Sequence, residues 1–151
     1  MPIRADIKAA QIAAMKAGDT PTRDATRLIE AAIKNRDIEA RTSGTPADDD
    51  ALVVEVLQKM IKQRRESITL YEQAGRTELA DKEKAEVAVI ERFLPAQLSE
   101  DETRALIEGI KAEVGASGIK DMGKVMALLK ERHASSLDMG KASGLVKAAL
   151  A

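Results

Sequence analysis

One stretch of the chain has glycines and a lysine at the spacing of a phosphate-binding loop. In GIKDMGKVM, residues Gly118, Gly123 and Lys124 fit the P-loop pattern G-x-x-x-x-G-K-[ST]. Such a loop follows a β-strand, wraps phosphates with backbone N–H groups and holds magnesium with its hydroxyl residue. Here Val125 stands at the hydroxyl position, and the residues before Gly118 have helical spacing. The pattern therefore does not predict a nucleotide site, and we expect no cofactor and no metal.

The tetrapeptide DMGK of this stretch, Asp121–Lys124, occurs again at Asp138–Lys141. Because aspartate caps exposed N–H groups at the start of a helix, we predict a helix start at each copy. Gly123 and Gly140 then lie in a first turn, where a bare backbone allows close approach. Two interpretations stay open: the glycines serve helix packing alone, or they also leave donors for an anion beside the lysines. The spacing GKASG, residues 140–144, indicates tight helix packing.

The residues that could catalyse a reaction are few and scattered. The chain has no cysteine and one histidine, His133, with no clustered carboxylates near it in sequence. We interpret His133 as a favourable charge at the C-terminal end of a helix, and Ser135 and Ser136 as loop residues. The triplet Asp48–Asp50 precedes an apolar run, which favours capping over a calcium loop because alternating oxygen ligands and a distal glutamate are missing. We predict no catalytic residues.

Composition favours an all-helical protein. Tyr71 and Phe93 are the only aromatic residues among 151, and the chain is rich in the helix formers Ala, Leu, Lys, Glu, Arg and Met. The balance of 24 positive against 25 negative residues argues against a general polyanion binder. No run approaches the ~20 apolar residues of a membrane span. We expect a cytoplasmic protein.

Hydrophobic periodicity predicts two helical domains: about four helices in residues 1–94 and a three-helix tail in residues 95–151. The boundary falls at Pro95, because proline disfavours helix at Leu94 and the S-x-x-E pattern of Ser99 and Glu102 starts a new helix. The predicted elements are a helix at 3–17, a second opened by Pro21, a loop at 42–46, a third helix at 50–74, a fourth capped by Thr77 and running to about Phe93, and tail helices carrying Leu106–Val114, Met122–Leu129 and Leu145–Ala149.

The connection between the two domains is short and apolar. Phe93, Leu94 and Leu98 flank Pro95, and we expect their side chains to be buried at the junction. A free linker would be polar and rich in Gly and Ser, so the sequence predicts a semi-rigid joint.

The middle of the chain carries a long and specific pattern, KQRRESITLYEQAGRTELADKEKAEVAVIERFLPAQLSEDE, and GASGIKDMGKVM follows it. With both, the chain resembles the YqeY-like family over essentially all of its residues. Residues 93–151 also resemble the tail domain of the B subunit of aspartyl/glutamyl-tRNA amidotransferase (GatB). The resemblance implies an all-helical N-terminal domain with a three-helix tail, and the amidotransferase tail is implicated in holding tRNA. The family is grouped with glutamine-dependent carbon–nitrogen ligases, but the catalytic cradle of the B subunit is absent here.

The resemblance implies a non-catalytic accessory protein of tRNA or aminoacyl-tRNA metabolism. Because the tail holds eight positive and eight negative residues, an RNA site requires an asymmetric placement of charge. With so few aromatic residues base stacking is not the mode, whereas phosphate and shape recognition of a folded tRNA is compatible. No DNA or membrane partner is expected. The candidate RNA contacts are Lys120, Lys124, Lys141 and Lys147, with Gly123 and Gly140 exposing backbone donors.

A second hypothesis is a helical protein-interaction module without RNA binding. Met122, Met126 and Met139 lie at helical spacing, and methionine packs adaptably against partners. Exposure of these side chains would favour this alternative, and a lysine stripe along the tail would favour tRNA.

Overall fold

The computed structural model describes residues 2–44, 48–133 and 136–151, which fold into helices without a strand. The all-helical fold is therefore confirmed, while Thr45, Pro46 and Ser135 of the predicted loops lie outside the described residues. The chain divides into two compact units, Met1–Leu94 and Pro95–Ala151. The elements are α1 (Ile3–Ala17), α2 (Thr20–Ser43), α3 (Asp49–Gln73), α4 (Thr77–Glu91), α5 (Glu100–Val114), a 3₁₀ turn (Ile119–Asp121), α6 (Met122–His133) and α7 (Met139–Leu150).

One apolar cluster joins the four helices of the first unit. Ile7, Ile29, Leu57 and Ile90 come from α1, α2, α3 and α4 in turn, and each is at most 1% exposed. Helix α1 packs on α2 and α3 packs on α4, while α2 also contacts both α3 and α4. Burial of each such side chain contributes about 1.5–3 kcal/mol, so the apolar stripes of the four helices account for this packing.

The triplet Asp48–Asp50 both caps α3 and ties α1 to it. Its first carboxylate accepts the Ala51 N–H at 2.7 Å, which confirms the capping interpretation. Its second binds the Arg4 guanidinium at 2.7 Å, and Asp37 binds the same guanidinium at 2.9 Å. Its third accepts the Ile3 N–H at 3.0 Å. Three carboxylates from α2 and α3 thus bind the start of α1.

The end of α2 differs from the prediction. The predicted loop at 42–46 starts too early, because α2 continues to Ser43. The hydroxyls of Thr42 and Ser43 donate to the Glu39 carbonyl at 3.1 and 2.9 Å. These bonds run back along the helix, so the last turn accommodates two residues that commonly favour loops.

The start of α4 also differs from the prediction. Thr77 is the first helical residue and not the cap; Arg76 holds the cap position without a side-chain bond. The Arg76 N–H donates to the Tyr71 carbonyl at 2.8 Å, so the end of α3 and the start of α4 share one tight turn around Gly75, whose φ is 71°. Helix α4 ends at Glu91, slightly before the predicted end.

The tail unit begins with a complete capping box. The Ser99 hydroxyl accepts the Glu102 N–H at 3.1 Å, and the Glu102 carboxylate accepts the Ser99 N–H at 3.2 Å. The predicted helix start is confirmed. Gly115, with φ of 67°, ends the helix.

Helices α5 and α7 run parallel in the tail. The Leu98 N–H donates to the Ser136 carbonyl at 2.9 Å just before both helices start. Near the other ends, the Lys111 ammonium donates to the Ala149 carbonyl at 3.0 Å. Helix α6 packs against both. The most deeply buried apolar side chains of this core are Ile107, Val125, Leu129 and Val146.

The apolar residues around Pro95 are half-buried. Phe93 and Leu94 pack against the core of the first unit, and Leu98 packs against the core of the tail. Their burial at a semi-rigid junction stays a prediction.

Candidate nucleic-acid interface

The P-loop-like stretch forms a turn that is closed by one aspartate side chain. It follows helix α5 and not a strand. The Asp121 carboxylate accepts the Ser117 N–H at 3.0 Å, which closes the loop before α6. Val125, at the position of the P-loop hydroxyl, is fully buried in the tail core. The stretch therefore has neither the strand nor the hydroxyl that phosphate and magnesium binding requires.

The two aspartates of the repeated DMGK tetrapeptide act differently. Asp138 caps α7 by accepting the N–H groups of Gly140 and Lys141 at 2.9 and 3.3 Å, as predicted. Asp121 bonds backwards to Ser117, because the 3₁₀ turn already leads the chain into α6. The Ser117 N–H, and then Lys124 and Lys120, lower the pKa of Asp121 below its usual value.

All four lysines of the candidate site are exposed. Lys120 lies in the 3₁₀ turn and Lys124 in the first turn of α6, and both are near the Asp121 carboxylate. Lys141 and Lys147 lie near the start and the end of α7. The structure thus groups Lys120 with Lys124, whereas the other two stand on a different helix.

Helical spacing places Lys147 and Lys141 on different sides of α7. At 100° per residue, Lys147 is turned about 160° away from Ala149, whose carbonyl receives Lys111 of α5. Lys147 therefore lies on the side of α7 away from α5, and Lys141 lies nearer the α5 side. The predicted lysines do not converge on one pocket, but spread over the outward side of the tail.

The arginines of the tail are paired, whereas these lysines are not. Arg132 makes a two-pronged ion pair with Glu113, with both bonds at 2.8 Å. Arg104 pairs with Glu100 on its own helix. Among the described residues of the tail, Lys120, Lys124, Lys141 and Lys147 form no ion pair with any carboxylate. Their charges remain available to an external anion.

Lys130 is also exposed on α6 and was not among the predicted contacts. The DMGK repeat was the available signal, because it extends six residues further in both copies and ends in lysine, at Lys130 and at Lys147.

The packing interpretation of the glycines is wrong within the described chain. A Cβ atom added at Gly123 or Gly144 would meet no atom within 4 Å, and one added at Gly140 would meet only the Asp138 carboxylate, at 3.3 Å. No second backbone approaches these helices there, because their glycines point outward and are exposed. The surface around Gly123 is therefore open. The prediction that Gly140 exposes a backbone donor is wrong, because the Asp138 carboxylate already accepts its N–H.

The methionines do not form an exposed docking face in the described structure. Met122 and Met126 are half-buried and pack against the tail core. The side chain of Met139 lies outside the description. The observation that would favour a protein-interaction module is thus missing for two of the three methionines.

His133 lies in the last turn of α6, as predicted, and is half-buried. It stands beside Lys130 and Arg132 in the last turn, where basic side chains suit the helix dipole. Among the described residues no group of three or more His, Cys, Asp or Glu side chains is arranged to hold a metal ion.

The two arginines of the KQRR segment on α3 form ion pairs with α4. Arg64 is largely buried and binds Glu86 on α4 at 2.9 Å. Arg65 binds Glu91, also on α4, at 2.9 Å. Because both guanidinium groups are paired with glutamates of α4, the segment links α3 to α4.

A cleft of about 510 Å³ lies between α1, α2 and the start of α3. Arg4 on its rim is bound by Asp37 and Asp49, and Lys8 lies 3.8 Å from Glu30. Most of the charges at this rim therefore serve the fold of the first unit.

The chain belongs to the YqeY-like family: the family model described as Yqey-like protein matches residues 4–150. The membership expected from the resemblance is thereby confirmed.

Three fungal proteins are similar in sequence to this chain. An uncharacterized protein of Schizosaccharomyces pombe is 37% identical over 60 residues, which are 40% of this chain and 49% of that protein. Altered inheritance of mitochondria protein 41, mitochondrial, of Eremothecium gossypii is 36% identical over 83 residues, 55% of this chain and 44% of that protein. The protein of the same name from Pyrenophora tritici-repentis is 28% identical over 141 residues, 89% of this chain and 72% of that protein. The chain spans about half the length of the first two relatives.

The names of two relatives include a cellular location. Two of them are called mitochondrial, and the cytoplasmic location of this chain stays a prediction. No helix among the described residues is long and apolar enough to cross a membrane.

Proposed function

We propose that this protein is a non-catalytic accessory protein of tRNA or aminoacyl-tRNA metabolism, and that its tail binds RNA through phosphates. The observation that carries the proposal is the division of charge inside the tail. Helix α5 holds five acidic and two basic residues, whereas residues 119–150 hold three acidic and six basic residues. A balanced tail therefore has a basic part, which is the asymmetric placement that phosphate binding requires.

The exposure of the tail lysines and their lack of ion pairs support the same proposal. Helix α7 contains two lysines and no acidic residue, and its lysines are exposed and unpaired in the described structure. Binding a phosphate therefore requires no internal ion pair to break. Gly123, which has open surroundings, stands next to Lys124, so a backbone phosphate meets no bulky side chain there.

The mode of binding follows from what the tail lacks. It contains no aromatic residue, so its lysines contact phosphates without bases stacked on aromatic rings. Affinity then comes from released counterions and from the fit to a folded backbone, which suits tRNA better than an unstructured strand. The expected resemblance of the tail to that of the amidotransferase B subunit, which is implicated in holding tRNA, motivates tRNA as the partner.

A salt titration tests the proposal. Binding of the full chain to a tRNA transcript is measured between low and high salt, beside binding to a random RNA of equal length. We expect a linear fall of log K with log salt and tighter binding to tRNA. Binding that ignores salt, or that does not distinguish the two RNAs, would contradict the proposal.

A matched pair of variants tests whether the RNA contacts lie on the tail. Lys124→Gln with Lys141→Gln removes one charge from each DMGK copy and should reduce the salt slope by about 1.4–1.8. Lys59→Gln with Lys62→Gln removes two exposed lysines of α3 and should leave the slope unchanged. Equal effects of both variants would show that RNA contacts are not confined to the tail.

A further inference from the structure

Helices α6 and α7 begin with two copies of one ten-residue repeat. Residues 121–130 read DMGKVMALLK, and residues 138–147 read DMGKASGLVK. Six of the ten positions are identical, and two of the other four exchange similar residues, Ala127 for Gly144 and Leu129 for Val146. The repeat includes Lys124 and Lys130 in the first copy and Lys141 and Lys147 in the second.

The two copies also have the same pattern of burial. Val125 and Leu129 point into the tail core, and so do their counterparts Ala142 and Val146. The two lysines and the small residue between them are exposed in both copies. Equivalent residues therefore form equivalent exposed surfaces, each with two lysines about 9 Å apart along the helix axis and about 120° apart around it.

One straight strand of nucleic acid cannot contact both of these surfaces with its phosphates. Their buried sides belong to a single core, so the outward faces of α6 and α7 point in different directions. A folded RNA, in which separate backbone segments lie close together, presents phosphates to both faces at once. An extended single strand reaches the second face only by bending around the tail.

We infer that the two copies of the repeat are equivalent half-sites, and that each binds a separate backbone segment of the same folded RNA. This inference rests on the proposed function and adds to it the number of contacts, their symmetry and the kind of RNA. Two weak contacts on one molecule reinforce each other because the second binds at a high effective concentration. Selectivity for folded RNA then needs no base-specific contact.

The test compares the two copies by substitution in the full chain. The variants are Lys124→Gln with Lys130→Gln, Lys141→Gln with Lys147→Gln, all four together, and the control Lys59→Gln with Lys62→Gln. The probes are a tRNA transcript and an unstructured uridine oligonucleotide of equal length. Both are titrated with salt, and circular dichroism checks that each variant keeps its helices.

Each tail variant should reduce the salt slope on tRNA by a similar amount, about 1.4–1.8, and the fourfold variant by about twice that. Loss of either copy should also remove most of the preference for tRNA over the oligonucleotide, because one face alone contacts one backbone segment.

Two results would overturn the inference while the proposed function stands. In one, a single copy carries the whole effect and the other none. In the other, the preference for tRNA survives the loss of either copy. A wild-type chain that binds neither RNA would refute the proposed function as well.

Discussion

Gly144 stands in the middle of α7 with open space where a side chain would be. Its φ is outside the left-handed region, so alanine fits without strain and loses less conformational freedom on folding. We expect Gly144→Ala to raise the free energy of unfolding by about 0.5–1 kcal/mol, measured by chemical denaturation. Gly115→Ala is the control: its φ of 67° is unfavourable for alanine, and the substitution should destabilise. Destabilisation at both positions would mean that Gly144 is packed against something.

Asp49 makes the stability of the first unit depend on pH. Its hydrogen bond with Arg4 holds the pKa of the carboxyl below its usual range. A lowered folded-state pKa stabilises the protein fully above the unfolded-state pKa of about 3.9, and this stabilisation is lost as pH falls through the folded value. The difference in unfolding free energy between the wild type and Asp49→Asn should therefore be constant near neutrality and shrink below pH ~4.

The control for this titration is Asp81→Asn, at an exposed aspartate of α4. Its difference from the wild type should stay small over the same range, because no hydrogen bond or ion pair of this side chain is found in the described structure. If the Asp49 variant behaved in the same way, the ion pair with Arg4 would contribute nothing in solution, as happens for many exposed pairs.

The role of a single residue was predictable where it depends only on its neighbours along the chain. Asp138 as a cap follows from residue type and position. The roles of Asp49 and Asp50 were not predictable, because their partners Arg4 and Ile3 lie about 45 residues away along the chain. The openness around Gly123 and Gly144 was also hidden, because sequence shows that a residue is small and not which way it faces.

At the scale of elements, the capping box of α5 should be worth a measurable part of the tail's stability. Ser99→Ala removes the acceptor of the Glu102 N–H and should lower the free energy of unfolding by about 1 kcal/mol. Thermal denaturation followed by circular dichroism measures the change. Ser67→Ala, within α3, removes a hydroxyl that only bonds back to the Gln63 carbonyl and should be close to neutral. Similar losses for both would refute a specific role of the cap.

A second prediction at this scale concerns Phe93, which follows α4. Its ring is half-buried against the core of the first unit. Full burial of a phenylalanine would make its replacement by alanine cost about 3–5 kcal/mol. We therefore expect Phe93→Ala to cost less, about 2 kcal/mol by denaturation. A cost of 4 kcal/mol or more would indicate a more complete burial in solution.

The helices themselves were predictable because their apolar spacing and stop signals agree. Gly18 and Gly115, both with positive φ, end α1 and α5 where glycine predicts a stop. The errors fell at Ser43, whose hydroxyl bonds back to the Glu39 carbonyl, and at Thr77, which follows the turn closed by the Arg76 N–H. Local propensity is a weak guide at such boundaries.

At the scale of the whole molecule, two separate apolar clusters predict local effects of core substitutions. Leu57→Ala in the first core and Leu129→Ala in the second should each cost about 2–5 kcal/mol. Hydrogen exchange followed by mass spectrometry reports where protection is lost. We expect faster exchange mainly within residues 3–91 for the first variant and mainly within residues 100–150 for the second. Equal loss everywhere for both variants would show that the two units unfold as one.

The parallel pairing of α5 and α7 has a kinetic consequence. Lys111 and the Ala149 carbonyl are 38 residues apart, whereas the contacts of α3 with α4 are between neighbours in a hairpin. Helical hairpins form quickly because little loop-closure entropy precedes their contacts, and distant contacts form later. During synthesis on the ribosome, the first unit is therefore able to fold while the tail is still open. The tail core closes only after α7 has emerged, and until then α5 and α6 lack the third helix of that core.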